Sequence, residues 1–148
     1  MKLLTLVFSF FSVLVLSSSM SLSRTEASIG SEAPDFTIYN ESATVRTADL
    51  KGKYVTVNFW STGDAVSRER NARLAREAAR NGKEYIGICV DEDRILAAEI
   101  LAQDGVDMKK QYMASDVKNG DPCKYYEVDS GLRAFEINQY GNICGILK

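Results

Sequence analysis

The chain has few side chains able to do chemistry, and one kind is missing: it contains no histidine. Without imidazole, Ser-His-Asp and Cys-His catalysis, His-ligated zinc or haem, and a histidine pH switch are excluded. Three thiols remain, Cys89, Cys123 and Cys144. They stand too far apart for a Cys-x-x-Cys pair or a spaced set of metal ligands, which removes the zinc ribbon and the iron-sulfur cluster. Their odd number argues against a disulfide-dense scaffold, so stability must come from a core. Cys89 lies in an apolar run and reads as an inert core residue, and Cys144 in the last strand reads the same way. Cys123 follows Pro122 in a polar loop and is expected to be exposed. It is the candidate reactive thiol, although Asp121 beside it opposes ionisation. All three are expected to be reduced in the monomer. Asp91-Glu92-Asp93 offers oxygen ligands to a hard cation, but at a helix start such residues act first as caps and dipole partners. No metal and no cofactor is expected.

The elements that must position these groups belong to one ordinary domain. The chain has 148 residues, 45% hydrophobic and 26% charged, with a formal net charge of −2, which excludes disorder and a multi-span membrane protein. Acids and bases are nearly balanced, so no basic stripe is expected and nucleic acid is excluded as a partner. Lys2 followed by the apolar run Leu3 to Leu16 reads as an export signal, too short to span a bilayer as a helix. Small residues then allow cleavage up to Ser23, and the competing reading is an uncleaved anchor. Residues 1–23 are thus assigned to the leader, 24–33 to a mobile lead-in and 34–148 to the domain, with no stable membrane insertion after cleavage.

Within the domain, Phe36-Thr37-Ile38 and Thr44-Val45 read as a hairpin about Asn40-Glu41-Ser42. Tyr54 to Trp60 is a strand buried on both faces, and Glu84 to Val90 is another. Between them, Asp64 to Gly82 predicts an amphipathic helix with Val66, Leu74, Ala75 and Ala78 inside and Arg68, Arg73, Arg76 and Arg80 outside. A second helix follows Asp93, with Leu96, Ile100 and Leu101 at helical spacing. Two buried strands joined through a helix imply a parallel pair. Gln111 to Met113 is a short strand, Lys124 to Glu127 a short helix, and Ala134 to Ile137 with Asn142 to Leu147 an antiparallel hairpin. The fold class is therefore α/β, a central mixed sheet with helices on both faces and an N-terminal hairpin extension.

Four segments in register, GSEAPDF from Gly30, LKGKYVTVNFW from Leu50, GICVDED from Gly87 and YEVDSGLRAFEINQYGNI from Tyr126, resemble exported thioredoxin-like proteins of the TlpA/ResA type. The resemblance implies a thioredoxin-like fold, bacterial origin, and a periplasmic or secreted location. It also implies a Trp-Cys-x-x-Cys motif just after the central strand, and a cis-proline on the strand beside it. Aligned on Phe59-Trp60, the two redox positions hold Asp64 and Ser67, and the proline position holds Leu132. Neither Asp nor Ser can exchange a disulfide, and a trans bond is expected before Leu132.

Asp64 is expected to cap the helix, with a new polar site shared with Ser67 as the competing reading. Arg68 and Arg70 are able to draw an anion, although helix arginines are ordinarily solvated. Trp60, Asp64, Ser67, Arg68, Leu132 and Arg133 form the candidate binding surface. The expected function is a non-catalytic binding or accessory module for a protein partner in the cell envelope. The alternative is a divergent thiol-disulfide oxidoreductase of the TlpA/ResA type working through the lone Cys123.

Overall fold

In the computed structural model residues 27–148 are described; the leader expected over 1–23 lies outside them. β1 (Thr37–Tyr39) and β2 (Thr44–Arg46) form the expected antiparallel hairpin. Asn40 closes its turn by accepting the amides of Ser42 and Ala43 on Oδ1. A 3-10 turn over Thr47–Leu50 leads to β3 (Val55–Trp60), buried along its whole length. α1 (Ala65–Asn81) starts at an Asp64 cap and stops at Gly82, whose φ of +65° suits a residue without Cβ. Then come β4 (Glu84–Cys89), α2 (Arg94–Gln103) and β5 (Gln111–Met113). The chain continues through β6 (Val117–Asn119), α3 (Pro122–Tyr125), β7 (Ala134–Ile137) and β8 (Ile143–Leu147).

The main sheet has the order β5-β4-β3-β7-β8, with β3, β4 and β5 parallel and β7 and β8 antiparallel to their neighbours. Strand alternation sorts its side chains into two layers. Val57, Phe59, Ile88 and Tyr112 face Phe36, Ile38 and Tyr126, so α3 and the hairpin cover one side. Trp60, Cys89 and Met113, neighbours in register, face Ala72 of α1 and Ala97 and Leu101 of α2 on the other. This is a thioredoxin-like fold with helices on both faces.

Several local expectations change. The hairpin gains a third strand, β6, which pairs with β1 to give a small sheet of order β2-β1-β6. α3 begins two residues before the expected Lys124, because Asp121 caps it and Pro122 takes its first position. The segment expected as a mobile lead-in is hydrogen-bonded from Gly30 onward. The Gly30 amide donates to Ile143 O at 2.8 Å, Ile143 to Ser31 O at 2.9 Å and Ala33 to Gly141 O at 2.9 Å. In α1 the inner face carries Ser67, Arg70, Asn71, Leu74 and Ala78, which turns Val66 outward at 66% exposure. In α2, Ala97 and Leu101 are buried while Leu96 is exposed.

Candidate functional site at the start of helix α1

β3, the central strand, ends at Trp60, and Ser61–Gly63 make the turn into α1. Asp64 has extended backbone angles, and its Oδ1 accepts the Val66 amide at 3.1 Å. A carboxylate there satisfies a helix-terminal donor and meets the positive end of the dipole. The Ser67 hydroxyl, fully buried, donates to Asp64 O at 3.0 Å and accepts the Ser61 amide at 3.2 Å. The two residues at the expected thiol positions therefore lock the turn onto the helix. They form no proton-transfer pair.

A third side chain completes this lock. Asp91, just past β4, accepts the Thr62 amide at 2.6 Å, the Thr62 hydroxyl at 2.7 Å and the Ser61 hydroxyl at 2.9 Å. Burial pushes its pKa up, but the bonds from Thr62 and Ser61 together outweigh that and hold the carboxyl below its ordinary value. Asp93 is the actual cap of α2, accepting the Leu96 amide. In the acidic triplet, one carboxylate thus clamps the β3–α1 turn and another caps a helix.

The arginines divide. Arg68 is paired in a fork with Asp104 at the end of α2, at 2.7 and 3.0 Å, which ties the start of one helix to the end of the other. Arg70, expected to be solvated or to attract an anion, is only 4% exposed. Its Nε donates to Asn58 Oδ1 at 2.9 Å and its Nη2 to Phe59 O at 3.1 Å. Burial lowers its pKa and the nearby Asp64 charge opposes that, but a guanidinium stays protonated. Beyond Asn58 the bonds continue: Asn71 Oδ1 accepts from Asn58, Tyr85 and Gln111, and Gln111 Oε1 accepts the Trp60 indole N–H at 3.1 Å. Sequence reasoning missed this polar layer under α1. Its signals were Asn58 inside an otherwise apolar strand and Arg70 and Asn71 at the spacing of Ser67, Leu74 and Ala78.

Of the candidate surface, Trp60 and Ser67 are buried and lie outside the exposed face at the start of α1. Leu132 and Arg133 lie beside the end of β3, where Arg133 O accepts the Phe59 amide at 3.1 Å. Among the described residues every peptide bond is trans, Leu132 included. The loop before it holds Glu127 at φ +51°, a left-handed conformation for a residue with a Cβ. The Glu127 carboxylate lies 3.9 Å from Arg133. Asp64, Leu132 and Arg133 keep partial exposure, as does the ion-paired Arg68, and Val66 is added to them.

The three cysteines are free. Cys89 is buried, and burial together with the charge of Asp91 pushes its thiol up to about 11. Cys123 is half-buried instead of exposed, because α3 turns it toward the core beside Tyr125. Burial, then Asp121 and Asp129, raise its pKa. Cys144, expected inside, is exposed on β8, the edge strand of the main sheet. No thiol stands at the start of α1.

The sequence profile of the AhpC/TSA family matches residues 29–143, and the chain belongs to that family. A thioredoxin-like protein from Parabacteroides distasonis is 28% identical, with a TM-score of 0.66 over 83% of this chain and 89% of that one. The thioredoxin domain of a thiol-disulfide oxidoreductase from Bacteroides vulgatus is 20% identical, with a TM-score of 0.64 over 82% and 89%. A thiol:disulfide interchange protein of the thioredoxin family from Chlorobium tepidum is 22% identical, with a TM-score of 0.61 over 81% and 86%. The last two likenesses bear on the fold alone. No curated protein matches the chain at a significant level.

Proposed function

We propose that this is an exported bacterial protein, periplasmic or secreted, that keeps the thioredoxin-like scaffold of its family and uses it for binding without thiol chemistry. The observation that carries this reading is the Asp64 carboxylate capping α1, with the buried Ser67 hydroxyl one turn on. At the first position a redox enzyme of this fold needs a thiolate, and at the second a resolving thiol. A helix-capping carboxylate occupies the one and a structural hydroxyl the other. The accessible end of the molecule, Asp64, Val66, Leu132 and Arg133, is then a surface for a protein partner in the cell envelope. The export signal over residues 1–23 supports the location.

The test is disulfide reduction in insulin with a dithiol as electron source. Turnover at the background of the dithiol alone is expected. Turnover well above it, abolished by Cys123→Ser, would establish the oxidoreductase reading instead.

A further inference from the structure

Away from the start of α1, a cavity of about 410 Å³ opens between α2, β5 and the β1–β2 turn. Trp60, Cys89, Leu101 and Met113 contribute to its apolar lining, and Ile95 and Met108 stand in its wall at 75% and 52% exposure. Exposed apolar side chains are ordinary when scattered. Here they gather around a concavity of ligand-site size, which is the arrangement that marks recognition. Its rim carries Arg94 against Glu41 and Glu99, a negative balance. Arg94 is engaged by Asp116 through two bonds of 2.6 and 3.0 Å, whereas Glu41 and Glu99 are exposed and carry no ion pair among the described residues.

The edge of β5 next to the cavity is already occupied. The Asn40 side-chain amide donates to Gln111 O at 2.9 Å and to Lys109 O at 3.1 Å. A partner strand adding there would have to displace it, so recognition by strand addition is disfavoured and side-chain insertion is favoured. We propose that this cavity docks a cationic amphipathic segment of a partner protein, apolar side chains entering between Ile95 and Met108 and flanking Lys or Arg meeting Glu41 and Glu99. Charge complementarity selects a basic occupant over an acidic one. The inference adds a second contact region to the binding-module reading and rests on it only in taking the partner to be a protein. Disulfide turnover in the insulin assay would overturn that reading and leave the cavity result standing.

Trp60 is the only tryptophan, so its fluorescence reports occupancy. The purified chain is titrated with a short amidated helical peptide of lysine and leucine and with its glutamate-for-lysine counterpart. Saturable change with the basic peptide is expected, with binding at least about tenfold weaker for the acidic one. The double variant Glu41→Lys/Glu99→Lys should weaken the basic peptide by a similar factor while its circular dichroism stays unchanged. Absence of saturable change, equal binding of both peptides, or binding that survives Ile95→Asp/Met108→Asp would each overturn the proposal. So would tighter binding of dodecanoate than of the basic peptide, which would make the cavity a lipid site.

Discussion

Thr62 and Asp91 are joined twice, the Thr62 amide and hydroxyl both donating to Oδ2 of the same carboxylate, at 2.6 and 2.7 Å. The two residues come from adjacent strand ends of the parallel β3–β4 pair, so the bond pair stitches the turn before α1 to the turn before α2. The entrance to α1 is therefore held from the side by a residue that sequence analysis placed in a helix-capping group.

Asp91→Asn should lower stability by about 1–2 kcal/mol at neutral pH, as expected for hydrogen bonds to a partly exposed charge. The folded chain binds this proton more weakly than the unfolded one. Its contribution is thus fully present above the unfolded value, about 4, and is lost as pH falls through the depressed folded value. Urea unfolding of both proteins from pH 7 downward should show their difference constant above about pH 4 and shrinking below it.

Asp64→Ala should cost about 1 kcal/mol, and Asp64→Asn or Asp64→Ser much less, since both can still accept the Val66 amide. Thermal unfolding of the three variants checks this. Equal stability of all three would show that the cap contributes nothing and that Asp64 is held for another purpose.

Asn71→Ala should be the most damaging of these changes, at about 2–4 kcal/mol. Its Oδ1 accepts from Asn58, Tyr85 and Gln111, so its removal leaves three buried donors to find other acceptors. Denaturant unfolding followed by Trp60 emission measures both the loss and the disturbance of the indole bonded to Gln111.

Alkylation should rank the thiols Cys144, then Cys123, then Cys89, in the order of their exposure. Denaturing the unreduced protein should give adducts on all three. A disulfide-linked peptide joining Cys123 to Cys144 would contradict the free state of both.

Much of the scaffold was readable in the sequence because its elements are dense in one signal. β3 and β4 are mostly apolar runs, and α1 lies between an Asp cap and an Asn-Gly stop. The cap at Asp64 followed from residue type at a helix start. Other features left no such trace. β6 is only Val-Lys-Asn and owes its pairing to β1. The residues from Gly30 to Ala33 are held by backbone amides, which no side-chain pattern announces. Arg70 is a charged type on a helix, so composition placed it in water, whereas its spacing from Leu74 and Ala78 placed it inside. Asp91 needed the crossover between β3 and β4 before it could be seen beside Thr62.

The pairing of Gly30, Ser31 and Ala33 with the β7–β8 turn decides how the molecule would be presented. Those bonds lie at the end of the sheet where β3 begins, since Ile137 is opposite Val55, and Asp64 lies past the other end. A six-residue strand separates the two by roughly 20 Å. The chain at Gly30 therefore sits behind the molecule as seen from Asp64, and a fusion joined directly at Gly30 would leave the Asp64 end turned toward solution.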